Sequence, residues 1–360
     1  MNQFQAPTQI ISGAGAVSAL ADFHPKRLMI VTDPYFAENG TAAKIGAAAK
    51  AEIIEYFTKI QPDPTVELAA EGTAALKAFD PDVLVALGGG SAMDCAKAML
   101  YFSGSSASFI AIPTTSGSGS EVTDFSILTH NGIKHPLIDT KLRPKAAILD
   151  SDLLKSLPPK LIADTGFDCL SHAIEAFVAT NASAVSDCLA KDAFCTALAL
   201  LPASYGGDSK CRLRIHEAST MAGLAFTKAG LGLCHAISHA LGGMYHIPHG
   251  RLNAILLPVV IGCNAHAAGE KYAKLSAAAG LVGNAPAIAV RNLRNALTRL
   301  RRELNLPATL QQAGVNPMQL RRDMEQVVKA AMADPCCETN PMGVEDFMIR
   351  RILEEVAGRV

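Results

Sequence analysis

The sequence predicts two domains of different class, an α/β domain with a parallel sheet over residues 1–158 and an all-α domain over residues 159–360. Three observations carry the prediction. Short apolar β-rich runs alternate with helical stretches through the first 150 residues. Continuous apolar strands of that kind belong to parallel sheets covered on both faces. Beyond Pro158-Pro159 the texture becomes Ala-rich, with apolar residues at the helical period and no convincing strand.

In order, RLMIVT (Arg27–Thr32) reads as a buried strand stopped by Asp33-Pro34, residues 41–51 as a helix, and Ile53–Phe57 as a strand. After a loop at Pro62 and Pro64, Val66–Phe79 reads as a helix and residues 83–87 (VLVAL) as a second buried strand ending in Gly88-Gly89-Gly90. A helix over 91–101 and a strand over 109–112, running into Pro113, complete the pattern. Helical spacing then covers 168–178, 186–200, 215–226, 234–244, 288–304 and 317–331.

Composition narrows the partners. The chain carries 32 basic against 33 acidic residues, a net charge of −1, so it lacks the basic excess that binds a phosphate backbone, and no nucleic-acid partner is expected. The longest apolar run, residues 254–263, is too short to span a bilayer and contains Pro258, so no membrane partner is expected either. Residues 1–15 show no secretory pattern. Nine cysteines without a C-x-x-C pair point to a reducing, cytoplasmic setting. Charged residues at 18% and a mean hydropathy of +0.22 suggest surface hidden in subunit contacts, as in a homodimer or larger homo-oligomer.

Two segments suit an anionic ligand. Gly88, Gly89 and Gly90 stand where a strand turns into a helix, so backbone N–H groups and the helix N-terminus can face an anion. Ser91 and Asp94 have the spacing of a capping box. A tight turn without ligand would look the same. The second segment, AIPTTSGSGSEVT, follows another strand and gathers the hydroxyls of Thr114, Thr115, Ser116, Ser118 and Ser120 around two glycines. Open α/β sheets bind ligands at the carboxyl ends of their strands. Asp33 ends the first strand, where a carboxylate accepts from a ribose 2′-hydroxyl and repels a 2′-phosphate, which favours NAD(H) over NADP(H).

Half of the ten histidines fall in two stretches of the second domain. Asp168 and His172 are spaced i, i+4, as are His235 and His239, and each pair shares one helix face; His249 follows. A single core histidine is ordinarily just hydrogen-bonded, but a carboxylate and several imidazoles on apolar faces are costly unless a divalent cation joins them. This donor set suits Fe(II) or Zn(II). Cys234 points to a different face from His235 and is not counted.

GGGSAMDCAK, TTSGSGSEVT, TGFDCLSHAIEA and GLGLCHAISHALGGMYHIPHG resemble the diagnostic stretches of the iron-containing (group III) alcohol dehydrogenases, and the likeness runs nearly end to end. Within that family the chain is most similar to the microcompartment-associated propanol dehydrogenases. The resemblance implies the dehydroquinate synthase-like fold, an N-terminal α/β domain followed by a helical one. It implies metal ligands Asp168, His172, His235 and His249, with His239 a non-ligand near the nicotinamide and the candidate for catalytic proton relay. For the cofactor it implies Asp33, Gly88, Gly89, Gly90, Ser91, Asp94, Thr114, Thr115, Ser118, Ile127 and Lys134, with Asp63 contributing.

The implied activity is NAD(H)-linked interconversion of a small primary alcohol and its aldehyde, the metal acting as Lewis acid. Microcompartment enzymes or the shell are implied partners, although no amphipathic extension of the encapsulation type precedes the first strand. Alternatives are a glycerol or polyol dehydrogenase, a dehydroquinate-synthase-like lyase on the same scaffold, and a non-catalytic assembly protein. The lyase needs a phosphate-recognising basic cluster, and Lys191, Lys210, Arg212 and Arg214 are scattered. A scaffold has no need to bury Asp and three His together.

Overall fold

The computed structural model describes residues 4–130, 133–281, 283 and 285–358. Gln5–Leu157 forms one compact unit, and the chain from Pro158 onward forms the other.

In the first unit, β1 (Gln9–Gly13), β2 (Arg27–Thr32), β3 (Ile53–Phe57), β4 (Val83–Gly88) and β5 (Ser108–Pro113) join the last strand, β8 (Ala146–Asp150), in a parallel sheet. The order across it is β1-β8-β5-β4-β2-β3. β6 (Phe125–His130) and β7 (Ile133–Ile138) form a separate antiparallel ribbon. Four helices connect these strands: α1 (Pro34–Glu38), α2 (Thr41–Ala49), α3 (Val66–Phe79) and α4 (Gly90–Ser103).

Alternation along β2 explains why both sheet faces are apolar. Met29 and Val31 pack with Ala69 and Leu76 of α3 and Ala92, Met93 and Ala96 of α4. Leu28 and Ile30 pack on the opposite face with Ala42 and Ile45 of α2 and with Leu20. From β2 the chain moves outward to β3, then returns to β4 on the other side of β2, so the strand order reverses between β2 and β4. Ligands bind at such a switch point in open α/β sheets.

Arg27–Thr32, Ile53–Phe57 and Val66–Phe79 coincide with observed elements. Sequence reasoning missed β1, the β6–β7 ribbon and β8. The capping box expected of Ser91 and Asp94 does not form. Gly89 is the N-cap of α4 without a side-chain cap, and Asp94 is engaged elsewhere.

In the second unit, α5 (Pro159–Val178), α6 (Ala184–Tyr205), α7 (Ser209–Ala229), α8 (Leu233–Tyr245), α9 (His249–Ala278), α10 (Pro286–Glu303), α11 (Pro317–Met332) and α12 (Asp346–Val356) follow one another. No strand occurs there among the described residues. The apolar run at 254–263 lies within the 30-residue α9, which is long and apolar enough by composition to cross a membrane. Its most apolar window is 61% buried, as in a core helix.

Pro258 lacks the N–H that would bond the Ala254 carbonyl. Arg301 of α10 donates to that oxygen at 3.3 Å, and Arg294 Nε donates to the Pro258 carbonyl at 2.6 Å. Side chains of α10 thus serve the carbonyls around the proline, and the helix continues through it.

Candidate active site

The first group of candidate residues surrounds the carboxyl ends of β2 and β4. Asp33 follows β2 and caps α1, its Oδ1 accepting from the Phe36 N–H at 3.1 Å. A Cβ built on Gly88 would stand 3.9 Å from the other Asp33 oxygen, which therefore faces the glycine turn. Gly88 has φ +153°, outside the range most side chains tolerate. Its carbonyl accepts from the Thr114 N–H at 2.9 Å, joining the turn to the segment after β5.

A Cβ on Gly89 would lie 3.2 Å from Thr115 Oγ1, and one on Gly90 3.3 Å from Ser118 Cβ. The two segments therefore touch, and the glycines keep open the space beside the hydroxyls. Gly89, Gly90, Ser91, Thr115 and Ser118 are all partly exposed, whereas Thr114 is buried. Uncapped N–H groups at the start of α4, the part-exposed hydroxyls of Ser91, Thr115 and Ser118 and a carboxylate form a cradle suited to a diphosphate with its ribose.

The remaining expected cofactor residues lie in a polar group joining α4 to the ribbon. Asp94 accepts from Ser120 Oγ at 3.1 Å and from the Ile127 N–H, and Lys134 pairs with Asp63 at 2.8 Å. Burial raises the Asp94 carboxyl to about 6 against the opposing pull of Lys97, Ser120, Ile127 and Lys134. Lys97, which sequence reasoning did not single out, is fully buried. It donates to Ser120 Oγ at 3.0 Å and to Thr123 Oγ1 and the Phe125 carbonyl, each at 2.8 Å. Burial lowers its ammonium to about 8, although Asp94, Glu121 and Asp124 pull the other way.

The second group lies in the helical unit. Asp168 and His172 share a face of α5, His235 stands in the first turn of α8, and His249 opens α9. Three imidazoles converge on one carboxylate oxygen. Asp168 Oδ1 is 4.0 Å from His172 Nε2, 3.8 Å from His235 Nε2 and 3.6 Å from His249 Nε2. Hydrogen bonds would be shorter. Donor atoms about 2.1 Å from a tetrahedral metal stand about 3.4 Å apart, so the spacing is near that of ligands around a common cation. The residues present fit a divalent metal.

Asp168, His172 and His235 are buried and His249 is half-buried, and His172 is stacked between Phe226, with ring centroids 4.3 Å apart, and His235, at 4.5 Å. Burial by itself would raise the Asp168 carboxyl, but the three histidines hold it well below the usual range. Burial likewise opposes charge on His235, yet Asp168 and Glu175 bring its pKa up to about 9 without a metal. A bound cation would supply that positive charge instead.

Two further residues of this group were missed. Glu175 Oε2 lies 2.6 Å from His235 Nδ1, and Asn253 Nδ2 donates to Asp168 Oδ1 at 2.9 Å. Glu175 stands in the quoted stretch TGFDCLSHAIEA, three residues after His172, but nothing in the residue pattern distinguishes its role. Cys234 Sγ points to Asn253 Oδ1 at 3.6 Å.

His239 stacks on His249, with centroids 5.0 Å apart, while its Nδ1 lies 2.8 Å from Asp334 Oδ2. Burial would raise the Asp334 carboxyl, but His239 and the Cys336 N–H bring it down to about 2. Asp334 is therefore ionised near neutral pH and can only accept, which places a proton on Nδ1 and directs Nε2 elsewhere.

Comparison with known proteins agrees over both units. The iron-containing alcohol dehydrogenase family matches residues 7–151, and the Fe-containing alcohol dehydrogenase family, C-terminal, matches residues 162–357. The 1-propanol dehydrogenase of Salmonella typhimurium is 40% identical over 369 residues, covering 99% of this chain and 100% of that one. The NADPH-dependent butanol dehydrogenase of Clostridium saccharobutylicum is 36% identical, with 98% and 97% covered. Among solved structures, the iron-containing alcohol dehydrogenase of Thermococcus thioreducens gives a TM-score of 0.91 at 31% identity, covering 98% of this chain and 99% of that one. The sulfoacetaldehyde reductase of Bifidobacterium kashiwanohense, in complex with NAD+, gives 0.88 at 27% identity, with 99% of both chains covered. From its sequence motifs to its fold, the chain belongs to the iron-containing alcohol dehydrogenase family.

Proposed function

We propose that the chain is an NAD(H)-linked, metal-dependent dehydrogenase that interconverts a small primary alcohol and its aldehyde, with propanal or a similar short aldehyde as substrate. One observation carries the reading: three histidine Nε2 atoms face one buried carboxylate oxygen at 3.6–4.0 Å. Asp168, His172, His235 and His249 would hold Fe(II), or Zn(II) where supply favours it.

Residues 1–158 form the nucleotide-binding domain and residues 159–360 the metal-binding domain. The Gly88–Ser91 turn, Thr114, Thr115 and Ser118 would hold the diphosphate. Asp33 accepts from the ribose 2′-hydroxyl and disfavours a 2′-phosphate. The NAD+ complex of the sulfoacetaldehyde reductase supports that choice, whereas the butanol dehydrogenase named above is NADPH-dependent. Asp63, Asp94, Ile127 and Lys134 complete the set that would contribute to the cofactor site.

When bound, the metal supplies Lewis acidity toward the substrate oxygen and the nicotinamide supplies or accepts hydride. The chain's own part is orientation and proton handling. Asp334 fixes His239 with a proton on Nδ1, leaving Nε2 to hold or pass the proton that the substrate oxygen gains or loses. Phe226 lies against His172 and contributes an apolar wall, which suits a short aldehyde better than a sugar acid. The same reading includes a cytoplasmic homodimer or larger homo-oligomer, free or inside a bacterial microcompartment with its enzymes or shell.

The test is anaerobic oxidation of NADH with propanal, with and without added Fe(II). Turnover that follows metal content is the expected result. Metal-independent turnover, or none with a panel of short aldehydes beside activity on glycerol and NAD+, would refute the proposal.

A further inference from the structure

Glu175 is 3% exposed, and its described contacts are all with donors. Oε1 accepts from the Cys234 N–H at 2.7 Å. Oε2 accepts from the Gly232 N–H at 3.0 Å, lies 3.4 Å from the His235 N–H, and stands 2.6 Å from His235 Nδ1. The N-cap of α8 is Gly232, which has no side chain to serve the first-turn N–H groups. A Cβ there would meet Glu175 Oε1 at 2.9 Å and Asn340 Oδ1 at 3.0 Å. The cap of α8 is thus borrowed, the Leu233 N–H being served by Asn340 Oδ1 at 3.2 Å and those of Gly232 and Cys234 by α5, the helix that also carries Asp168 and His172.

Capping alone does not require a charge, since a neutral oxygen serves N–H groups as well and costs less to bury. The imidazole contact gives the carboxylate a second task. Being an acceptor, it keeps a proton on His235 Nδ1, so that Nε2, on the side facing Asp168 and 3.4 Å from Asn253 Nδ2, is the nitrogen left to lend a lone pair to a cation.

We propose that Glu175 is a positioning residue of the metal centre, which fixes the tautomer and orientation of His235 while locking the first turn of α8 onto α5. This rests on the metal reading above. Asn253 steadies the other partner. Its Nδ2 donates to Asp168 Oδ1, and its own Oδ1 accepts from Ser238 Oγ at 2.5 Å.

Glu175→Gln is the informative variant. One end of the amide becomes a donor, and both carboxylate positions face donors. Placed toward Cys234, the NH2 opposes an N–H; placed toward His235, it moves the imidazole proton to Nε2, where a ligand lone pair is needed.

Zn(II) is titrated into metal-free wild type and variant against a chromophoric chelator, with thermal unfolding of both metal-free proteins and 15N NMR of their histidine rings above about pH 9, where the His235 ring has lost its second proton. The expected result is one tightly held equivalent in wild type. In the variant we expect about 10–100-fold weaker binding and protonation of His235 at Nε2. A purely structural cap lowers the metal-free melting temperature but leaves Zn(II) affinity within twofold and the tautomer unchanged, which overturns the proposal. A wild type that takes up no Zn(II) overturns the metal reading itself. If Glu175→Gln does not fold, Glu175→Asp, which keeps the charge but withdraws it from Nδ1, is titrated the same way, and unchanged affinity again overturns the proposal.

Discussion

At Gly250 the start of α9 approaches α5 closely beside Asp168. A Cβ built there would lie 1.9 Å from the carbonyl oxygen of Asp164 and 3.2 Å from Asp168 Cβ. Carbon and carbonyl oxygen settle at about 3.3 Å or more, so Gly250→Ala must part the start of α9 from α5 by roughly 1.4 Å. The obstacle is backbone and cannot rotate away. Its neighbour His249 moves with α9, while Asp168 stays on α5. A displacement of about 1 Å at a reacting centre costs on the order of 100-fold in rate, and overpacking of this kind costs about 1–3 kcal/mol of stability.

Gly269 lies in the same helix, and its Cβ would meet only Pro286 Cβ at 3.9 Å. Gly269→Ala is therefore the control, expected to be neutral or to stabilise by up to about 1 kcal/mol through helix propensity. Metal content by elemental analysis, kcat/KM with propanal and thermal unfolding compare the two. A Gly250→Ala enzyme with wild-type metal content and kcat/KM within twofold of wild type would refute the reasoning.

Four other outcomes are expected. His172→Ala, checked by elemental analysis, should lose both metal and turnover; an active, stoichiometrically loaded variant rules His172 out as a ligand. Asp33→Ser removes the carboxylate set against a 2′-phosphate, so the ratio of kcat/KM for NADPH to that for NADH should rise by at least tenfold, on the order of 1.4 kcal/mol. His239→Ala should slow turnover and alter its pH profile, and full turnover with the wild-type profile would end the relay assignment. Asp94, raised to about 6 in the folded chain, binds more protons there than in the unfolded chain between about pH 4 and 6. Its contribution makes stability fall as pH rises through that window, and Asp94→Asn should flatten that part of the curve measured by urea unfolding.

Much of this was legible in the residues for local reasons. β2 and α3 were placed to the residue because a strand buried on both faces is an unbroken apolar run and a helix repeats at its own period. β1 was missed because it carries no such signal, and β8 because its apolar run is only four residues long and opens with two alanines, which are depleted in strands. β1 is a five-residue edge strand with Ile10 44% exposed, and its partner stands far along the chain. Pro136 obscured β7. The 30-residue α9 was missing from the helices read in the sequence, and the service of its Ala254 carbonyl by Arg301, opposite Pro258, is a tertiary event that no local window contains.

The same division holds at the site. Asp168 with His172, and His235 with His239, announced themselves by i, i+4 spacing. Glu175, Asn253 and Asp334 did not, because an isolated polar residue acquires its meaning only from what another helix brings to it.

The Asp150 carboxylate at the end of β8 accepts from the N–H groups of Gly15, Val17 and Asp152, tying the turn after β1 to a strand made much later. That join has a consequence for synthesis. On the ribosome β1 emerges ahead of β2, β4 and β5, yet its neighbour in the sheet is β8, so it waits unpaired while those three can already assemble. Nascent chains arrested before residue 146 should therefore expose β1 to protease and to chaperones, and the protection of β1 should begin only when Ala146–Asp150 clears the exit tunnel.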